Sequence, residues 1–152
     1  MKKATLIIIL LTTIFGLSTS LSAQQNPDPL LQRDPLMEAD AKHNLDVAWQ
    51  AFRLKKAYKG VLLRFEETFA AYPDFSKMDE FLYLAGMSCY YLSENKGKQK
   101  VDLKSERDKE KYNPQKMRQE AELYFGLIIE KYPDSKYIDE ARQMLEKLRN
   151  PR

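Results

Sequence analysis

The sequence predicts an all-α protein, an α-α superhelix of about five helices that follows an N-terminal signal segment. After the first 23 of its 152 residues, the chain holds three Val, three Ile and one Thr, too few β-branched residues for a sheet core. From Pro35 onward the prolines are separated by stretches long enough for helices. Apolar residues recur in those stretches at three- and four-residue steps, the spacing typical of an amphipathic helix.

The amino terminus is typical of a secretory signal. A basic start at Met1-Lys2-Lys3 precedes an apolar run from Leu6 to Leu17, and small residues follow as far as Ala23. We therefore predict a signal peptide at residues 1–23, cut after Ser22 or after Ala23. The uncharged run is also long enough to span a bilayer, so an uncleaved signal anchor is the alternative.

Five helices are predicted in the rest of the chain. A flexible leader at residues 24–34 ends at Asp34, which is placed to cap the first helix, and Asn113 stands in the same position before the fourth. Ser76, with Asp79 three residues later, resembles a capping box at the start of the third helix. The predicted helices are Pro35–Lys55, Tyr58–Tyr72, Lys77–Ser93, Pro114–Lys131 and Lys136–Arg149.

A charged insert at residues 94–113 separates the third helix from the fourth. Its stretch from Glu94 to Lys111 holds seven basic and five acidic residues and almost no apolar side chain. This composition predicts an extended loop, or a solvated helix laced with ion pairs, that lies outside the core. The helical domain therefore covers residues 35–152 and includes this insert.

The helices contain an internal repeat of helix, Tyr-Pro-Asp turn and helix. Residues 63–74 and 123–134 share Leu, Phe, Tyr, Pro and Asp at one constant offset. A small residue, Phe four positions later and Pro eight positions after that form the second-helix signature of the tetratricopeptide repeat. Trp49 departs from the first-helix pattern, because a small close-packing residue is expected at its position. The signature occurs as Val61-Phe65-Pro73 and as Ala121-Phe125-Pro133.

The turns resemble those of one family more closely. Residues 132–141 are similar to the Tyr-Pro-Asp-Ser-x-Tyr-x-x-x-Ala turns of BamD-like tetratricopeptide proteins, outer-membrane lipoproteins of the machinery that inserts β-barrel proteins. Residues 83–87 and 144–150 are similar to that family too. The resemblance implies a tetratricopeptide-like superhelix and a periplasmic or outer-membrane-associated location. The chain departs from the family in its shorter array and in having no Cys directly after the signal for lipid attachment.

The sequence offers no set of residues for catalysis, for a cofactor or for a metal. His43 and Cys89 are the only residues of their types, and the glycines form no phosphate-binding loop. Acidic pairs such as Asp79-Glu80 recur at helix starts, where the helix dipole favours them. We therefore expect that the protein is not an enzyme.

Export limits the partners. The net charge of +3 falls to +1 without the signal, which contains Lys2 and Lys3 and no acid. An exported protein does not meet cytosolic nucleic acid, so we expect no nucleic-acid partner. The sequence also gives no indication of a small-molecule substrate. Two and a half repeats leave an open edge, which predicts protein partners in the envelope or self-association.

The expected function is that of an exported, non-catalytic, protein-binding adaptor of the bacterial cell envelope, with outer-membrane protein assembly as the role that the resemblance implies. The alternative is a membrane-tethered structural protein held by an uncleaved anchor. In the tetratricopeptide fold the first helix of each pair lines a concave groove. The resemblance thus implies groove residues at His43, Asp46, Gln50, Arg53, Glu80, Tyr83, Met87 and Tyr90. For Tyr83 and Met87 the alternative is packing against neighbouring helices.

Overall fold

The computed structural model of the chain describes residues 34–150, and within that range it contains helices and no strand. The predicted signal peptide at 1–23 and the leader up to residue 33 lie outside the described residues. The helices are α1 (Pro35–Gln50), α2 (Tyr58–Ala71), α3 (Met78–Ser93), α4 (Glu106–Lys111), α5 (Pro114–Lys131) and α6 (Ile138–Arg149). The prediction of an all-α protein is confirmed, and its five helices correspond to α1, α2, α3, α5 and α6.

Two helices begin at the side-chain caps that the sequence predicts. The Asp34 carboxylate accepts a hydrogen bond from the Leu36 N–H at 2.8 Å, and the Asn113 side-chain oxygen accepts from the Gln115 N–H at 2.9 Å. Each cap satisfies a backbone donor of the first turn that has no partner within the helix.

The predicted capping box at the third helix is wrong. Lys77 is the residue at the N-cap position of α3, and no side chain caps that end. The Ser76 hydroxyl instead donates a hydrogen bond to the Glu38 carboxylate on α1, and the Ser76 N–H points at the same carboxylate. A partner 38 residues away thus takes the serine that local spacing assigns to a cap.

The two Tyr-Pro-Asp turns have the same hydrogen bonds. In the first turn, the Tyr72 N–H donates to the backbone carbonyl oxygen of Thr68 at 2.8 Å, and the Phe75 N–H donates to the backbone carbonyl oxygen of Tyr72 at 3.1 Å. The equivalent bonds of the second turn, from Tyr132 and Ser135, are both 3.0 Å long. The repeat in the sequence is therefore a repeat in backbone structure.

Consecutive long helices pack against one another, as in a tetratricopeptide array. Helix α2 lies between α1 and α3, and α5 lies between α3 and α6. Helix α3 has the most buried residues and packs most extensively on α5, so it is the centre of the core. The largest fully buried side chains include Phe81, Phe125, Leu45, Met78, Leu82 and Leu84.

The closest approach between α3 and α5 depends on Gly86. A Cβ atom at this position would lie 2.8 Å from Cε1 of Phe125, inside normal contact distance. Hydrogen in place of a side chain lets the aromatic ring lie directly against the α3 backbone. In the first pair the equivalent position is Trp49, whose ring cannot occupy such a space and is half-buried at the surface of the core.

The charged insert is mostly exposed, and ion pairs dock it on α2. Its only helix within the described residues is α4, a little over one turn long. Lys59 of α2 donates to the Asp108 carboxylate at 2.5 Å, and Lys111 donates to Glu66 of α2 at 2.6 Å. The Tyr112 ring is buried beside these pairs, with the Lys59 ammonium 5.0 Å from its centre. No residue from Glu94 to Lys111 is buried, and the buried Tyr112 follows directly after that stretch.

Helix α6 is amphipathic. Ala141 and Leu148 are buried, while Arg142, Gln143, Glu146 and Arg149 are exposed. A terminal helix with one apolar face and a polar outer face is typical of the caps of helical repeat proteins.

The Gly86 contact predicts opposite effects for two glycine substitutions. Gly86→Ala should destabilise the protein by about 1–3 kcal/mol, because the new methyl group overlaps the Phe125 ring. Gly126→Ala is the matched control: no atom lies within 4 Å of its Cβ position, and alanine favours a helix by about 1 kcal/mol. Urea unfolding of both variants measures the difference. Equal stability of the two variants would contradict the close approach.

Candidate protein-binding groove

The candidate groove is the face formed by α1, α3 and the start of α6, the first helices of successive pairs. Helices α1 and α3 are in direct contact, and aromatic and charged side chains connect them to the turn that precedes α6. We call this row of contacts the groove ladder. Its members are Trp49, Arg53, Glu80, Tyr83, Lys136 and Tyr137.

The first half of the groove ladder joins α1 to α3. The Trp49 indole N–H donates to the Glu80 carboxylate at 2.8 Å, and the Arg53 guanidinium lies 4.0 Å from the centre of the Trp49 ring. A guanidinium over the face of an indole is a favourable cation–π contact. The tryptophan at the unexpected position thus links the two helices across the groove.

The second half joins α3 to the turn before α6. Lys136 lies 3.7 Å from the other Glu80 oxygen, and its ammonium is 4.8 Å from the centre of the Tyr137 ring. The Tyr137 ring stacks on Tyr83 with ring centres 4.4 Å apart and planes 16° apart. Both oxygens of the Glu80 carboxylate are therefore used, one for each neighbouring element.

The two tyrosines of the groove ladder remain neutral near pH 7. Burial raises the pKa of Tyr83, with a smaller contribution from the Glu140 carboxylate. Burial likewise raises the pKa of Tyr137. A neutral phenol can donate a hydrogen bond, so Tyr83 is suited to contacts with peptide carbonyl groups, while the Tyr137 side chain is hydrogen-bonded with Lys136 and Glu80.

Helix α1 ends in a π-helical turn, Ala51–Lys55, that carries Arg53. Lys56 follows in the left-handed conformation with φ of 47°. The turn lies directly after Trp49, the residue that replaces the small residue of the repeat pattern. Single π-helical turns within helices are frequent at functional sites.

The structure brings three of the expected groove residues together in the groove ladder: Arg53, Glu80 and Tyr83. The other α1 residues, His43, Asp46 and Gln50, are exposed on the same helix, and Asp46 lies 3.9 Å from Lys42. Met87 is half-buried and packs against the core. Tyr83 is also half-buried, so each of the two contributes both to packing and to accessible surface.

Tyr90 lies at the other end of α3, where it lines a cavity of about 630 Å³ with residues of α5 and α6. The Lys147 ammonium lies 4.8 Å from the centre of the Tyr90 ring, and Arg118 binds Glu94 at 2.5 Å. The cavity wall therefore contains both charge signs beside an aromatic ring.

Sequence reasoning did not assign Trp49, Lys136 and Tyr137 to the groove. Trp49 stands where the repeat pattern requires a small residue, and this departure from the pattern is the sequence feature that could have indicated a role in the groove. Lys136 and Tyr137 stand at the start of the predicted fifth helix, and the groove residues expected from the sequence are all on the first and third helices.

The pair formed by Cys89 and Glu120 lies in the core, away from the groove ladder. The Cys89 thiol donates to the Glu120 carboxylate at 3.7 Å across the α3–α5 interface. Burial raises the pKa of the thiol well above its usual value and also raises the pKa of Glu120. A thiol held in its protonated form is a poor nucleophile, so the pair has a structural role.

Residues 34–150 contain no group of three or more His, Cys, Asp or Glu side chains placed to hold a metal ion. Among the same residues, none of the helices combines the length and the apolarity that a membrane span requires.

A family model described as YfiO, outer membrane lipoprotein, matches residues 18–151. The chain belongs to this family. The resemblance of its turns to BamD-like tetratricopeptide proteins is thereby confirmed. Comparison with the curated proteins finds no match, and neither does comparison with the solved structures.

Because the chain belongs to a lipoprotein family, its cysteine is the residue to consider for lipid attachment. Cys89 is the only cysteine of the 152 residues, and its side chain is completely buried in α3. A lipid on this thiol would require the α3–α5 interface to open. Cys89 therefore packs the core and is not a lipid attachment site.

Because the pKa of Glu120 is raised in the folded state, we expect this residue to lower the free energy of unfolding as the pH rises. The folded state holds the carboxyl proton more tightly than the unfolded state, whose pKa is near 4.5. Its stabilising contribution is complete below that value and is lost as pH rises through the folded pKa. Glu120→Gln should therefore raise the urea midpoint at pH 7 and have a smaller effect at pH 4.

The matched control is Glu130→Gln, an exposed position of the same helix. It should change stability by less than about 0.5 kcal/mol at both pH values. A Glu120→Gln variant that is less stable than the wild type at pH 7 would contradict the sign of the effect.

Proposed function

We propose that the protein is an exported, non-catalytic adaptor of the bacterial cell envelope that binds a protein segment in the groove between α1 and α3. The family supplies the envelope context, and outer-membrane protein assembly is the role we propose within it. The observation that carries the proposal is the groove ladder, a row of aromatic, Arg and carboxylate side chains across three elements.

The composition of the groove supports a protein partner. Aromatic residues, Met and Arg are enriched at protein interfaces, and this face presents Trp49, Arg53, Tyr83 and Met87. The internal contacts of the groove ladder hold these side chains in place, which lowers the entropy that binding must remove. Exposed polar residues of α1, including Gln50, form the rim of the same face.

A photo-cross-linking experiment in the source bacterium tests this proposal. A photoreactive phenylalanine derivative at Gln50 or His43 faces the proposed groove, and the same derivative at Leu63 or Leu123 is exposed on the second helices. We expect cross-linked products from the groove positions. Arg53→Ala should reduce their yield several-fold, because the guanidinium over Trp49 lines the contact.

The second-helix positions are the matched controls. Products from Leu63 and Leu123 alone, or equal yields from all four positions, would overturn the groove proposal. A product of twice the chain mass would identify the partner as a second copy, which is the self-association we also propose for the open edge of the array.

We propose that the chain reaches the periplasm or the outer membrane through cleavage of the segment at residues 1–23. Mass spectrometry of the protein recovered from the cell envelope should then find an amino terminus at Ala23 or Gln24. A chain that retains Met1 would instead support the membrane-tethered structural protein.

A further inference from the structure

We propose that the α1–α2 corner and the docked insert together form a surface that binds anionic lipid bilayers. We call this surface the corner patch. It combines basic side chains with two protruding leucines, and it is separate from the groove ladder. Its members are Leu54, Lys55, Lys56, Lys98, Lys100 and Leu103.

Backbone contacts make the corner patch one surface. The Lys98 N–H donates to the Lys56 oxygen at 3.0 Å, and the Lys59 ammonium donates to the Lys100 oxygen at 2.8 Å. Gly97 permits this approach: its φ is 95°, and a Cβ there would lie 2.7 Å from the Lys56 oxygen. The insert is thus fixed beside the end of α1.

The corner patch holds four lysines, and of the acids near it Asp108 and Glu94 are ion-paired, while the exposed Asp102 carboxylate accepts a hydrogen bond from the Lys104 N–H. Asp108 binds Lys59, and Glu94 binds Arg118. The ammonium groups of Lys55, Lys56 and Lys98 form no ion pair with any residue between 34 and 150. Basic residues concentrated on one surface attract anionic lipid headgroups.

The leucines favour a bilayer over an acidic protein. Leu54 is 76% exposed and stands between Arg53 and Lys55, and Leu103 is 52% exposed and stands between Asp102 and Lys104. An acidic protein would need only the lysines. A bilayer uses both kinds of side chain, because apolar groups enter the headgroup boundary while lysines contact phosphates.

The position of the corner patch suits this role. The α1–α2 connection and the insert each join the two helices of one pair, so they lie at the same edge of the array. The Tyr-Pro-Asp turns join successive pairs and lie at the opposite edge. The contact of Ser76 with Glu38 places the amino end of α1 at that opposite edge.

A site-specific fluorophore tests which edge meets the membrane. An environment-sensitive probe is attached to Leu54→Cys, or to Leu36→Cys as the control, in the mature chain that begins at Gln24 and carries Cys89→Ala. Leu36 is 70% exposed and lies at the opposite edge. Vesicles of phosphatidylethanolamine with phosphatidylglycerol should shift the emission at position 54 to the blue. Vesicles of phosphatidylcholine alone should not.

Charge variants test whether binding to anionic vesicles depends on the lysines of the corner patch or on positive charge anywhere on the protein. Lys56→Gln with Lys98→Gln should weaken binding to the anionic vesicles on the order of tenfold, and high salt should have a similar effect. Lys77→Gln with Lys131→Gln removes the same charge at exposed positions elsewhere and should change binding less than twofold.

Three results would overturn the proposal. An emission shift at position 36 without one at position 54 would place the membrane at the other edge. Equal losses for the two double variants would make the attraction nonspecific. Binding to poly-glutamate without binding to the vesicles would assign the corner patch to an acidic protein. None of these results bears on the groove, which the cross-linking experiment tests separately.

Discussion

The ring of Phe125 lies against the backbone of Gly86, and this contact sets the distance between α3 and α5. Helix α3 contacts α1, α2 and α5, so its position determines where the others pack. A pair of helices cannot bury its apolar faces alone, and the central helix supplies a surface to both neighbouring pairs. The first pair lacks the same close approach, because Trp49 occupies the equivalent position.

The displaced tryptophan connects packing to the candidate groove. Its ring is too large for the close-packing position, and its indole N–H donates to Glu80. The next turn of the helix is π-helical and carries Arg53 over the same ring. A departure from the repeat pattern thus coincides with the side chains that distinguish this groove from a plain helical surface.

Much of the fold follows from the sequence, because its signals are local. Prolines and caps mark the helix starts, and the Tyr-Pro-Asp turns fix the repeat. The docking of the insert could not be predicted, since its partners Lys59 and Glu66 are 49 and 45 residues from the side chains that they bind. The charge composition of a segment predicts that it is exposed to solvent, but it does not predict which distant residues form ion pairs with it. Ser76 illustrates the same limit, and the groove residues depend on side-chain directions that a family pattern leaves open.

The two connections within helix pairs lie at one edge of the array, and this arrangement fixes an orientation. With the corner patch on a bilayer, α1 stands roughly upright, and its amino end is about 30 Å above the surface, the length of some 20 helical residues. The carboxyl ends of α1 and α3, the two helices of the proposed groove, then face the membrane. A partner embedded in or resting on the same membrane would reach the groove by lateral diffusion, in two dimensions instead of three.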